Sequence, residues 1–442
     1  MTLFTTKRFT ILAWIVTGMT ILTVISGCAG AGAGGGENGG DALPGVTWQQ
    51  LAKLIGNAAA HEQAGFSVAM DENTAIVGVP GDDIRGYNAG SAYVFVRDGS
   101  GLWSRTDTLT ASDAGENDIF GSSVALSGDF AIVGAPLHNG PTDNPFDTDG
   151  ISRDSGAAYV FVRSGDSSWN QEAKLTGNRD LVIADDNFGS SVAISGDTAI
   201  VGSPYDEKGT ANPDSGAAYV FRRNDEGNWP QEIRLSAADA SAGDQFGSQV
   251  AISGYSAIVG APFSDDGGNS SGSAYIFTRN GSWSQTKLSV NVTAGNQLGF
   301  GVAIDGDTAI AGAPGGGDNY RGLAYVFTRD AAGSWNLSDT LSPVDATEGA
   351  CFGWSVAIDG DSTIVGAVGD GAGGFNSGAA FVFTRSAEGA WTQSGKLTAA
   401  DAVAHNWFGH SVAISGQSAV VGVPRDDDGA QNSGAAYFFA LR

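Results

Sequence analysis

Short runs of β-branched, aromatic and small apolar residues, each bounded by Gly, Asp, Asn or Ser, follow one another along most of the chain in a fixed order. In one unit the runs are Ser191–Ser195, Thr198–Gly202, Ala217–Arg222 and Trp229–Leu235. Runs this short, closed off by turn formers, predict strands rather than helices. The Ser195-Gly196-Asp197 link leaves room only for a hairpin turn. The unit recurs, marked by a Phe-Gly pair at Phe120, Phe188, Phe246, Phe352 and Phe408, with degenerate copies at Ala64-Gly65 and Leu298-Gly299. These starts lie roughly 57 residues apart on average. A four-strand unit cannot bury both faces alone, so repeats of about this size stack as propeller blades.

The phase of the repeat adds a prediction. A Trp-led strand begins near Trp48, Trp103, Trp169, Trp229, Trp283, Trp335 and Trp391, yet none follows Tyr437 to Leu441. The copy from Trp48 to Leu54 precedes every complete unit, so it is expected to finish the last blade beside Tyr437–Leu441. Closure of this kind removes sheet edges that would otherwise invite pairing with other chains. The expected fold is therefore all-β: a seven-bladed β-propeller of four-stranded antiparallel blades, its ring closed by the N-terminal strand.

Composition fits that geometry. Gly accounts for 67 of 442 residues, about twice the usual share. Gly121 and Gly134, with their equivalents, are expected where backbones turn or approach closely. The first strand of each unit is built from small residues, as convergence toward an axis requires. Tyr159 and Phe161 suit wider space further out, and the blade Trp residues are expected to pack between blades.

The first residues read as an address. Lys7 and Arg8 precede an apolar run from Phe9 to Ile25, and Ile25-Ser26-Gly27-Cys28 resembles the lipobox of bacterial lipoproteins. That resemblance implies cleavage before Cys28 and acylation of its thiol. Ala29 in the next position implies the outer membrane. The expected division is a signal peptide over 1–27, an acylated Cys28 with a Gly-rich tether over 28–45, and a propeller over 46–442. The expected location is the bacterial cell envelope, lipid-anchored, at the outer membrane or cell surface. The formal net charge is −26, and cleavage removes two further positive charges. Such a chain repels nucleic acid and anionic lipid. No nucleic-acid partner is expected, and membrane contact should run only through the anchor. A monomer is expected.

The Phe-Gly and Gly-Ala-Pro pairs at this spacing resemble FG-GAP repeats, the propeller of integrin α-subunit heads. Ser191 to Pro204 is closer still to the bacterial form of that repeat. The resemblance spans about residues 48 to 442. It implies a secreted or surface-displayed adhesion and binding module, with an extracellular protein or glycan as partner. Integrin-type blades often carry a calcium loop between their first two strands. Here that link is as short as Ser195-Gly196-Asp197, so the family's calcium residues do not carry over.

Candidate chemistry gathers on one face, where the loops joining strands two and three, and blade to blade, come together. Calcium takes six to eight oxygens in flexible geometry. The acids placed to offer them are Asp147, Asp149 and Asp154 in the longest loop, the pair Asp265 and Asp266, and the run Asp426, Asp427 and Asp428. Turn formation and solvation explain the same residues without a metal. Two rings of repeated acids precede the Phe-Gly pairs, Asp118, Asp186, Asp244 and Glu62 in one, Asp113, Asp239, Asp345 and Asp401 in the other. Both suit caps on loop backbone. Arg163, Arg222, Arg279, Arg329 and Arg385 end third strands and belong to the opposite face, solvated or paired with turn acids.

A break in symmetry stands out. The residue after Phe-Gly is Ser122, Ser190 and Ser248 in three successive blades, but Phe300, Trp354, His410 and Phe66 in the other four. In a closed ring those four are contiguous, with Trp407, His405 and His61 beside them. Such an arc offers a sugar, a peptide side chain or an apolar group a place to stack. Equally, it could plug the channel mouth or pack between blades. Only four His residues and no nucleophile elbow are present. The reading is a surface-anchored, non-enzymatic binding protein. Its alternatives are a polysaccharide-acting lyase or hydrolase, or a scaffold subunit of an envelope complex.

Overall fold

The computed structural model describes residues 47–57, 59–139, 155–165, 168–177, 185–207 and 213–442. The expected signal peptide and tether, and lipidation at Cys28, lie outside these residues. The described strands form seven four-stranded antiparallel sheets. In six of them the strands follow chain order, as in Ser191–Ser195, Thr198–Ser203, Ala217–Arg222 and Gln231–Leu235. The outer strand of that blade starts two residues later than the pattern suggests. Pro230 has no N–H for the ladder and contributes only its carbonyl, which accepts from Arg222 N–H at 3.1 Å.

The seventh sheet closes the ring as expected. Trp48–Ile55 lies beside Ala435–Leu441, followed inward by Ser418–Val423 and Ser411–Ser415. The antiparallel register runs from Trp48 opposite Leu441 to Ile55 opposite Ala435. Thr47 and Arg442 exchange backbone hydrogen bonds at 2.7 and 3.0 Å beyond its end.

No blade owns its core. Each large apolar cluster spans two neighbours: Ile76 and Val94 of the first blade pack with Phe120, Val133 and Tyr159 of the second. The same arrangement joins last to first, where Val420 and Phe438 meet Val77, Tyr93 and Trp103. The Phe of each Phe-Gly pair is sealed into such an interface. Phe246 is fully buried, 5.6 Å from the Tyr275 ring and 5.8 Å from the Phe277 ring.

The glycines explain why the repeat tolerates so little change at those positions. A Cβ on Gly202 would stand 2.0 Å from the carbonyl oxygen of Gly247 in the next blade, far inside contact distance. Gly247 in turn has φ +92, and its Cβ would meet the Ala217 carbonyl at 2.2 Å. Backbones of adjacent blades therefore touch directly. A bridge between Gly216 and Phe246 and a hydrogen bond from Ser191 Oγ to Gly247 O, 2.8 Å, lock the approach. The closing interface repeats it with Gly434 and Ala64, and with Ser411 Oγ donating to Gly65 O at 2.9 Å.

The opposite face is stapled by charge, as expected. Arg385 donates to Asp361 of its own hairpin turn at 2.7 Å and to Thr308 of the neighbouring blade at 3.0 Å, and lies over Trp391. Arg279 departs from this pattern because its turn carries Tyr255. It pairs instead with Glu232, 2.7 Å away on the preceding blade.

Gly202→Ala should lower the free energy of unfolding by about 3 kcal/mol or more, since neither backbone can retreat without breaking its ladder. Gly99→Ala, where a Cβ would meet nothing within 4 Å, should change it by less than about 0.5 kcal/mol. Denaturant titration compares the two; equal midpoints would contradict the close-contact account.

Candidate functional site

Between the second and third strands of a blade, and between successive blades, loops converge on one face. Their acids are largely engaged by the protein itself. The recurring unit is a buried loop Asp, a Tyr from the third strand and a cation from the outer strand. In the third blade, Asp206 accepts from Tyr219 Oη and pairs with Arg234 at 2.8 Å. In the second blade His138 stands in the Asp position, bonded to Asp118 at 2.8 Å and to Lys174 Nζ at 2.7 Å. Lys174 also reaches Asp113 at 2.6 Å, and Tyr159 donates to the same carboxylate at 2.8 Å.

The two rings of repeated acids thus divide. In the inner ring, Asp118 and Asp244 cap loop backbone, accepting from Gly115 N–H at 2.6 Å and Ser241 N–H at 2.8 Å. The other ring goes beyond capping. Asp113, Asp239 and Asp401 each accept from a Lys on an outer strand, and Lys396 donates to the backbone carbonyl of Asp345 at 3.0 Å.

The proposed calcium ligands meet the same chemistry. Asp147, Asp149 and Asp154 lie outside the described residues. Asp265 accepts from Ser270 N–H at 2.7 Å, and Asp266 pairs with Lys287. Asp427 accepts from Asn432 N–H at 2.6 Å. Oxygens of Asp401, Asp426 and Asp428 do converge within 4.8 Å of one another, in the manner of a cation site. The cation there is Lys53: its ammonium is 2.8 Å from Asp401, 2.9 Å from Asp426 and 2.5 Å from Asp428. Burial alone would lower the Lys53 pKa, but the three carboxylates outweigh it and hold the ammonium above its ordinary range. A calcium ion at this point would have to displace a lysine carried by the ring-closing strand.

The channel mouth is a different environment. Its serines turn back on their own loops: Ser122 Oγ donates to Ile119 O and Ser248 Oγ to Gln245 O, both at 2.7 Å. The four rings opposite them form a continuous, half-buried arc. Phe300 and Trp354 have centroids 4.5 Å apart, Trp354 and His410 6.1 Å, His410 and Phe66 4.9 Å. Trp407, buried behind them, lies parallel to His410 at 6.3 Å and tilted to Trp354 at 6.4 Å. His405 instead contacts Phe375 at 5.3 Å. His61 is exposed, and among the described residues neither of these two histidines makes a ring contact with the arc.

His410 Nδ1 lies 3.0 Å from the Phe66 carbonyl, which can only accept, so the proton sits on Nδ1 and Nε2 is left as an acceptor. Enclosure by the surrounding rings pushes the imidazole down to about 4, against the help of that hydrogen bond and with a further push from Arg425. The arc is therefore uncharged at neutral pH.

Two further features lie outside the position that follows Phe-Gly. Trp407 has φ +62, the left-handed conformation that this place takes in every blade, at Gln63, Ile119, Asn187, Gln245, Gln297 and Cys351 as well; it costs a bulky residue more than Gln or Asn. Arg425, following Pro424, lays its guanidinium 3.5 Å from the centre of the Trp407 ring. The signal was present in the chain. The equivalent residue is Gly81, Gly315 or Gly369 in blades with a mouth Phe or Trp, and Leu137, Tyr205 or Phe263 in blades with a mouth Ser. Volume is exchanged between the two positions, and only the last blade places large side chains at both.

A family model described as FG-GAP repeat matches residues 48–95, 103–161, 169–221, 229–277, 284–327, 335–383 and 391–439. No curated protein matches the chain.

Lys53→Met should cost about 2–3 kcal/mol by leaving three adjacent carboxylates without their counter-ion. Millimolar calcium should restore part of that loss in the variant while leaving the parent's thermal melt unchanged. Equal calcium shifts in parent and variant would show that Lys53 does not fill the cluster.

Proposed function

The chain belongs to the FG-GAP repeat family, and from that premise we propose that it is a non-enzymatic binding protein that holds an extracellular ligand at the channel mouth. The observation that carries this reading is the one-sided aromatic arc. A plug of the channel needs bulk, but it has no need of a neutral histidine whose Nε2 is left as an acceptor, nor of a guanidinium stacked beside it on Trp407. Half-buried rings that flank an uncharged hydrogen-bonding group suit ligands with one apolar face and a few hydroxyls or amides.

The rest of the proposal follows from the engaged acids and the N-terminal sequence. Acid–base catalysis by paired carboxylates needs at least one group free to exchange protons with substrate. On this face Asp206, Asp370 and Asp426 are each buried and held by a Lys or Arg, which favours binding over hydrolysis or elimination. Cys28 would anchor the protein through acyl chains in a bacterial envelope, with the propeller displayed as a monomer on its Gly-rich tether. The acidic surface would keep it off anionic headgroups and nucleic acid. The binding reading needs no calcium.

Glycan and peptide arrays probed with the native protein should give hits that Trp354→Ala weakens by roughly tenfold or more, as for a central aromatic anchor, with melting little changed. A drop in melting temperature with array binding intact would identify the arc as a plug. Release of products from retained glycans would identify an enzyme.

A further inference from the structure

Arg425 differs from the other described cations: those without a carboxylate either hydrogen-bond to neutral groups, as Arg85, Arg97 and Arg105 do, or are exposed, as Arg321 and Arg442 are. With 48 acids against 22 bases, cations find carboxylates readily: Lys53, Lys174 and Arg234 do so on the mouth face, Arg222 and Arg385 on the other. Arg425 is half-buried, yet among the described residues it has neither an ion pair nor a hydrogen bond. Its donors are not sealed in. The chain even directs the next three acids elsewhere: Asp426 to Tyr437 and Lys53, Asp427 to Asn432 N–H, Asp428 to Lys53. Burial without a counter-ion pushes the guanidinium below its ordinary value, a cost that stacking on Trp407 offsets only in part.

Stacking also orients the group. Stacking on the Trp407 ring uses none of the guanidinium N–H donors, so the fork that matches a carboxylate remains for something else. Parallel to the same Trp407 ring, 6.3 Å away, is His410, which offers Nε2 as an acceptor, and the arc continues from it through Trp354 and Phe300. We propose that Arg425 is the anion subsite of the mouth and that the ligand is a short, mostly neutral oligosaccharide carrying a uronate: carboxylate on Arg425, a hydroxyl on His410 Nε2, sugar C–H faces against Trp354 and Phe300. One cation stacked on the arc, in a molecule this acidic, matches one carboxylate and disfavours an extended polyanion. The inference rests on the mouth being the binding site and names what it selects.

The test compares a trisaccharide ending in glucuronate with its carboxyl-reduced counterpart by calorimetry, on the native protein and on Arg425→Gln, Arg425→Lys and Trp354→Ala. The acidic sugar should bind roughly tenfold more tightly than the neutral one, and less so as salt rises. Arg425→Gln should erase most of that difference, and Arg425→Lys should retain part of it because charge survives without the fork. Equal affinities, with both lost in Trp354→Ala, would overturn the anion subsite while leaving the mouth as the binding site. Binding of an Asp-bearing peptide in place of either sugar would overturn the sugar assignment. Failure of both sugars to bind would overturn the inference outright.

Discussion

Everything in this structure depends on how closely the backbones of adjacent blades approach. Where Gly202 meets Gly247 there is no room for a single methyl group, and the same contact recurs from blade to blade, including the one between Gly422 and Gly65. The approach is what allows seven sheets to converge on an axis with small inner strands, and it aligns each Phe-Gly turn over its neighbour's second strand. The apolar clusters then fill the widening wedge between blades with Phe, Tyr and Trp. Because each core belongs to two blades, none can be complete until both are in place.

The charge distribution follows from the same frame. A chain rich in Asp looks, as a composition, like a collection of cation sites. In three dimensions the loop acids Asp206, Asp266, Asp370 and Asp426 are all partners of the protein's own cations, and a Tyr with a Lys or Arg recurs beside buried loop carboxylates. The Lys53 cluster shows how this works: three carboxylates from two loops surround an ammonium that arrives on a strand 348 residues before Asp401 and 375 before Asp428. Salt-bridged acids of this kind brace the loops of the mouth face, and the aromatic arc and Arg425 stay outside those ion pairs. The proposed binding surface lies where the repeat fails to satisfy itself.

The strands, their phase, the count of blades and the closing pair were legible in the chain, because hydrophobic periodicity and turn residues act locally and the repeat shows each position several times. The aromatic arc was legible as well: contiguity around a ring turns distant residues into neighbours once closure is granted. What could not be read was occupancy. Asp426 and Asp428 have the spacing of metal ligands, and nothing near them in sequence announces that Lys53 fills the space between. His61 and His405 share a repeat position with each other, yet they sit at the rim, because their place in the loop turns the side chains outward. The size of Arg425 at a place held by Gly in the other blades of the arc is visible in the chain, but its lack of a partner shows only in three dimensions.

The central claim is that interfaces between blades, the closing one included, hold the ring as a single cooperative unit. Removing residues 46–55, the strand opposite Ala435–Leu441, tests it most directly. Without that strand the last blade loses its outer ladder and Lys53, and the interface between Gly434 and Ala64 loses its cover. The account predicts that the shortened chain gives no cooperative thermal transition by calorimetry. A transition at the parent's temperature and enthalpy would contradict it.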